Sequence, residues 1–298
     1  MRKVLHLGQF HRPSDFEWWI SVNLALRGHS VTRIQQTPDG WPHEEIFRAI
    51  FEQRYDMLLF HKAPGCNPDK LARLKIRFPE MKVCMWTPDW RRHPSWAVWY
   101  KPLGEICDWT FATDGPQECE WWSERGVRSH PLRQACWPMI HHPMEVEPVY
   151  DVGFFGSLYT DGRQRIHTAL KEAFGDRYCY RGNACPQDEA WADEFRHSIA
   201  SCKVIVGDNH VNDIEGYWSD RVFLTQACGG FMLHPDVQGY DLSPTYKRNN
   251  PDECVKQIHY WLANEEERKT RAKLGYERCV THDTYQHRLD EMEKVLGW

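Results

Sequence analysis

Short apolar stretches alternate with amphipathic ones along most of this chain, and no other feature narrows the fold as much. Lys3 to Leu7 is apolar and ends at Gly8. A helix that Ser14 or Asp15 can cap follows through Trp18, Ile20, Leu24 and Leu26, and Arg27-Gly28-His29 closes it. Strand-like runs at Ser30–Ile34, Asp56–Phe60, Lys82–Trp86 and Trp109–Ala112 interleave with helical runs at Glu44–Glu52, Asp69–Phe78 and Pro116–Arg125. Apolar strands alternating with helices predict a parallel sheet covered on both faces.

The pattern breaks at Trp137-Pro138-Met139-Ile140-His141-His142-Pro143 and again at Pro148, which reads as a linker. It then resumes. Strands are expected at Val152–Phe155, Tyr178–Tyr180, Lys203–Val206 and Phe231–His234, with helices at Arg163–Phe174, Asp188–Ala200 and Ser219–Ala227. Pro251 to Val295 reads as three helices rich in Glu, Lys and Arg. A length of 298 residues agrees with two domains of this kind.

Composition removes several classes of function. The chain is 41% hydrophobic and 27% charged, which excludes a disordered chain. Its longest apolar runs, such as Met57–Phe60, fall far short of the roughly 20 residues of a membrane span. The N-terminus is basic but meets polar residues too soon for a signal peptide. Eleven cysteines without a CxxC pair indicate free thiols in a reducing cytoplasm. Cys179 and Cys185 have no matching second pair, so no metal site is expected. Net charge is −5, which argues against a general polyanion binder. That charge is divided unevenly, +3 over residues 1–135 and −8 over 136–298, so an anionic partner would meet the first half. Fifteen Trp exceed the needs of a core this size and leave rings free to stack on flat or sugar-like ligands.

Ligands of doubly wound sheets sit beyond the carboxyl ends of the strands, and four such ends carry chemistry. At Gly8-Gln9-Phe10-His11-Arg12 a glycine lets the backbone approach a ligand, and His11, Asp15 and Glu17 are acid/base candidates. No GxGxxG follows, which argues against a nicotinamide enzyme or a nucleotide-sugar epimerase. The segment from Trp86-Thr87-Pro88-Asp89-Trp90-Arg91-Arg92 to Lys101 interleaves cations with aromatic rings, and places Asp89 where a general base could face an acceptor. Gly153-Phe154-Phe155-Gly156-Ser157, followed by Asp161, Arg163 and Arg165, offers helix N–H groups to a phosphate. Finally, Tyr217-Trp218-Ser219-Asp220-Arg221 opens a helix whose Arg221 can reach a diphosphate, and Gly229-Gly230 turns the chain into the next strand.

Taken in order, these passages resemble the CgeB-like branch of the GT-B glycosyltransferases, related to group 1. The resemblance rests on Leu26-Arg27-Gly28-His29-Ser30-Val31, Trp86-Thr87-Pro88-Asp89, Asp151 to Ser157, Arg221-Val222-Phe223 through Gly230, and the closing His282-Asp283-Thr284-Tyr285-Gln286-His287-Arg288. It implies an α/β architecture of two Rossmann-like domains facing a cleft. Residues 1–140 would bind the acceptor, 150–280 the nucleotide-sugar, and 281–298 would pack back on the first domain. It implies sugar transfer from a nucleoside-diphosphate sugar, UDP-sugar first, to a hydroxyl, with no metal or other cofactor. Donor residues would be Gly156, Ser157, Arg181, Asn209, Tyr217, Trp218, Ser219, Arg221 and Val222. Acceptor residues would be Gln9, Phe10, Arg12, Trp90, Arg91 and Arg92, with Asp89 and then His11 as general base. Leu224 departs from the family's Glu, leaving Asp208, Asn209 and Glu215 as nearby substitutes. The acceptor is expected to be a glycan or metabolite, with a hydroxymethylated pyrimidine in DNA as the alternative. The Leu224 departure keeps a non-catalytic nucleotide-sugar or glycan binder open as well.

Overall fold

The computed structural model describes residues 1–11, 15–36, 41–61, 65–87, 101–113, 115–182 and 191–298, with residues 191 and 192 as backbone only. Asp89, Trp90, Arg91, Arg92 and Arg12 therefore lie outside the described residues. The chain forms two compact units, Met1–Arg133 with Arg288–Trp298, and Gln134–His287. The joins fall at 133/134 and 287/288, where the sequence placed the end of the first domain at 140 and the start of the returning helix at 281.

The first unit is a six-stranded parallel sheet in the order β2-β1-β3-β4-β5-β6. Its strands are β1 (Lys3–Gly8), β2 (Ser30–Gln35), β3 (Met57–Phe60), β4 (Lys82–Thr87), β5 (Trp109–Ala112) and β6 (Ser129–Pro131). Val4 pairs with Val31 on one side and Met57 on the other. All four residues of β3 are buried, as expected of a central strand with helices on both faces. The helices are α1 (Phe16–Leu26), α2 (His43–Glu52), α3 (Pro68–Arg77) and α4 (Pro116–Ser123). The i, i+4 pair Ile46 and Ile50 turns α2 onto Leu5, Leu58 and Phe60. Asn67 caps α3 by accepting from the Lys70 amide at 3.2 Å, just before Pro68.

Residues 288–298 complete this unit. Arg27 grips Glu293 through Nε and Nη2, both at 2.7 Å, and reaches Asp290 at 2.6 Å. His29 adds a 2.9 Å contact to Glu293, and His130 meets Glu291 at 2.7 Å.

The second unit is a five-stranded parallel sheet, β11-β10-β9-β7-β8. Its strands are β7 (Tyr150–Phe155), β8 (Tyr178–Arg181), β9 (Cys202–Val206), β10 (Met232–Pro235) and β11 (Thr245–Tyr246). The helices are α5 (Asp161–Phe174), α6 (Trp191–Ala200), α7 (Arg221–Ala227), α8 (Pro251–Ala263), α9 (Glu265–His282) and α10 (Tyr285–Leu296), the last running into the first unit. Val152, Phe154, Val204, Val206 and Leu233 pack under Ile166, Leu170, Ile258 and Trp261. The sequence missed β6 and β11, which are three and two residues long and carry no apolar run. Among the described residues no helix is long and apolar enough to cross a membrane.

Candidate functional site

Each sheet gathers polar residues at the carboxyl ends of its strands. In the first unit Gly8 ends β1. A β-carbon there would stand 2.7 Å from Cγ of Glu17, so the glycine admits α1 rather than a ligand. This corrects both readings of that motif, because Glu17 is 4% exposed and packed against β1. Gln9 is exposed and Phe10 half-buried, with the Phe10 amide donating to Gln35 Oε1 at 2.8 Å. The Gln35 amide in turn donates to exposed His11 Nε2 at 3.0 Å.

Below them runs a chain of buried polar groups that the sequence reading did not single out. His61 Nδ1 donates to the Trp86 carbonyl at 3.2 Å, so its Nε2 accepts from His6 Nε2 at 2.7 Å. His6 Nδ1 then accepts from the Ser21 hydroxyl at 2.6 Å. Both rings are fully buried. Burial first, then His61 and Arg33, hold the His6 pKa well below the usual value, so the His6 ring is neutral. At the end of β4, Thr87 lies 2.6 Å from buried Glu118, which also accepts from the Trp122 indole at 3.2 Å.

The second unit is different in kind. Gly156 follows β7, and a β-carbon on it would sit 2.3 Å from Arg221 Nη1. Its absence lets Arg221 close on the Phe155 carbonyl at 3.3 Å. From the first turn of α5, Arg163 donates to the Ser157 carbonyl (3.3 Å), the Ser157 hydroxyl (3.2 Å) and the Asp208 carbonyl (2.8 Å). Burial, with Arg221 as the second cause, lowers the Arg163 pKa to about 10, which leaves it charged at neutral pH. Burial likewise raises Asp208, while Asn212, Arg163 and Arg221 oppose that rise. Asn212 Nδ2 donates to Asp208 Oδ1 at 2.6 Å, and Asp208 Oδ2 lies 3.9 Å from a β-carbon placed on Gly162 in the first turn of α5. The net result is two guanidiniums against one carboxylate at the end of a parallel sheet.

Asn209 ties the next loop together. It donates to the Tyr217 carbonyl at 3.1 Å and accepts from the Ser219 amide at 3.1 Å. His234, from the end of β10, reaches its Oδ1 at 3.2 Å and the Pro235 carbonyl at 2.8 Å. Burial lowers His234 to about 3, so a neutral ring donates to one of these at a time. Ser219 accepts from the Arg221 amide at 3.3 Å ahead of α7.

Of the expected donor residues, Gly156, Ser157, Asn209, Ser219 and Arg221 thus fall into one network. Arg181 is exposed and supplies a carbonyl to the Gly156 amide at 3.0 Å. Tyr217, Trp218 and Val222 have buried side chains at 7%, 2% and 0% exposure, and Trp218 stands edge-on to Tyr240. Tyr217 also acts electrostatically on Arg163. Leu224 is also buried. Arg163, Asn212 and His234 were missed as site residues, although Arg163 stands in the quoted motif after Ser157. Among the described residues no group of three or more His, Cys, Asp or Glu could hold a metal ion.

Residues 154–294, which include all of this network, match the family model described as glycosyl transferase-like. No curated protein matches the chain. Among solved structures it is similar to Anabaena HepE in complex with UDP and glucose, at 11% identity, TM-score 0.71 and 100% coverage of both chains. It is similar as well to the sucrose-phosphate synthase of Thermosynechococcus elongatus, at 12% identity and TM-score 0.68, covering 99% of this chain and 98% of that one. The fold is GT-B. A third GT-B structure, the DNA modifying enzyme β-glucosyltransferase, matches at 11% identity and TM-score 0.58, covering 99% of this chain and 100% of that one. The glycosyltransferase-like domain within the GT-B fold supports the expectation of a sugar-transferring enzyme.

Proposed function

We propose that the chain transfers a sugar from a nucleoside-diphosphate sugar, UDP-sugar by preference, to an acceptor hydroxyl without a metal ion. The observation that carries this reading is the meeting of Arg221 and buried Arg163 at Gly156 and Ser157, inside the glycosyl transferase-like region. Fixed cations at a strand end stabilise the charge that grows on a departing diphosphate. Fixed donors do so without reorganising during the reaction. The preference for uridine draws on HepE, whose structure holds UDP and glucose. Asp89 first and His11 second are the proposed general bases for the acceptor. The CgeB-like branch and a reducing, cytoplasmic setting belong to the same reading, and the ten described cysteines are all free.

Thermal shifts with UDP, GDP, CDP, dTDP, UDP-sugars and NAD test the donor. A ligand at 100 times its Kd stabilises by about 2.7 kcal/mol, so a UDP-only shift is the expected result. Release of UDP from a UDP-sugar in the presence of a chelator tests metal independence. No shift with any nucleotide overturns the reading.

A second reading concerns the acceptor. The first half carries the net positive charge, and Trp90, Arg91 and Arg92 interleave rings with cations, which suits a flipped hydroxymethylated pyrimidine in DNA. The likeness to the DNA modifying β-glucosyltransferase supports it. A glycan or metabolite acceptor stays ahead, because the TM-scores to HepE and sucrose-phosphate synthase are higher. If DNA is the acceptor, replacing Arg91 and Arg92 together by Ala lowers the salt slope of DNA binding by about 2. An unchanged slope removes this reading.

A further inference from the structure

Arg163 is placed more expensively than helix packing requires. Only 4% of it is exposed, and its Nε is buried with no hydrogen-bond partner. Its three hydrogen bonds go to neutral oxygens of Ser157 and Asp208, and Arg221 repels it while Asp208, Tyr217 and Asp220 attract it. Buried ionic groups of this kind are often replaceable by apolar side chains without loss of stability, so a purely structural role accounts poorly for it. What the guanidinium does is geometric. One nitrogen holds the turn after β7 at Ser157 and another holds the turn after β9 at Asp208, 45 residues on from Arg163 itself.

We propose that Arg163 is a positioning residue for the donor, a two-pronged clamp that holds Gly156 and Ser157 in register with Arg221 by fastening the turn after β7 to the carbonyl of Asp208. This rests on the donor reading above. The clamp needs the planar fork of arginine, because two nitrogens act in two directions at once. A lysine keeps the charge but presents a single point donor. Arg163→Lys therefore separates clamp from charge. Arg165, two residues on and exposed, is the control.

The experiment has two readouts. Amide hydrogen exchange over residues 156–160, without ligand, should be faster in Arg163→Lys than in wild type and unchanged in Arg165→Lys. Titration calorimetry with UDP should show about 10-fold weaker binding in Arg163→Lys, in the range of a lost charge-assisted hydrogen bond. The donor KM should rise by the same factor while kcat at saturating donor stays within about 3-fold. Arg163→Gln should behave at least as badly, and if it does not fold, the lysine variant carries the test. Unchanged exchange in Arg163→Lys overturns the clamp. So does UDP affinity equal to wild type in Arg163→Lys, since charge alone would then suffice. If wild type binds no nucleotide at all, the donor reading falls, while faster exchange at 156–160 still stands for the clamp.

Discussion

The strand ends of the two sheets solve the same problem with opposite chemistry. Under the first sheet, Ser21, neutral His6, His61 and the Trp86 carbonyl pass hydrogen bonds along a chain in which every ring nitrogen has a partner. Under the second, Arg163 and Arg221 both act electrostatically on one buried carboxylate, Asp208, and Arg163 also bonds its backbone carbonyl. A neutral, satisfied network fixes backbone and asks for nothing further. A network with surplus positive charge is completed by an anion. The difference suits the first set of residues to scaffolding and, under the proposed function, the second to ligand chemistry.

Substitutions should separate these roles cleanly. His61→Leu removes the bond from His6 Nε2 and the bond to the Trp86 carbonyl, both buried. It should cost about 3 kcal/mol of stability, read by chemical denaturation, with UDP affinity of the folded protein unchanged. Arg221→Ala should do the reverse. Donor kcat/KM should fall about 100-fold, or about 2.7 kcal/mol, with Tm close to wild type. If His61→Leu weakens UDP binding as strongly as Arg221→Ala, the contrast fails.

Acid tests the neutral histidines of both units. His6 is held well below its ordinary pKa, and His141 and His234 are lowered to about 3. The unfolded chain therefore binds more protons than the folded one below pH 6.5. Stability is fully present above that value and is lost as pH falls, by about 1.4 kcal/mol per pH unit for each such histidine. Denaturation midpoints between pH 7 and 4.5 measure the slope, and His234→Gln should reduce it by one proton's share. The smallest expected effect concerns Cys179. Its hydrogen bond with Cys202, with Arg181 in support, lowers its pKa to about 7, whereas burial raises Cys66 and Cys228 to about 12. Iodoacetamide at pH 7 followed by peptide mass spectrometry should find Cys179 modified before these two.

Sequence periodicity located nearly every strand and helix, because apolar runs such as Met57–Phe60 and i, i+4 pairs such as Ile46 and Ile50 encode burial directly. The site was legible where glycine, serine and arginine stand together, at Gly156-Ser157 and Arg221. It is harder to read where a residue type suits both a ligand and a core. Tyr217 and Trp218 are aromatic in either case, and only their burial distinguishes the two. The histidine chain was illegible for another reason. His6 and His61 meet only through the pairing of β1 with β3, a contact 55 residues long in sequence.

The grip of Arg27 on Glu293 joins residues 266 apart and has a consequence for synthesis. Residues 1–133 leave the ribosome first, yet their unit is unfinished until 288–298 arrive. At roughly 5–20 residues per second, the N-terminal sheet waits on the order of 10–30 s with that surface bare. Leu289, Met292 and Leu296 are buried once they arrive, so a chaperone that binds apolar surface should be found most often on ribosomes that have passed residue 133 but not yet residue 288.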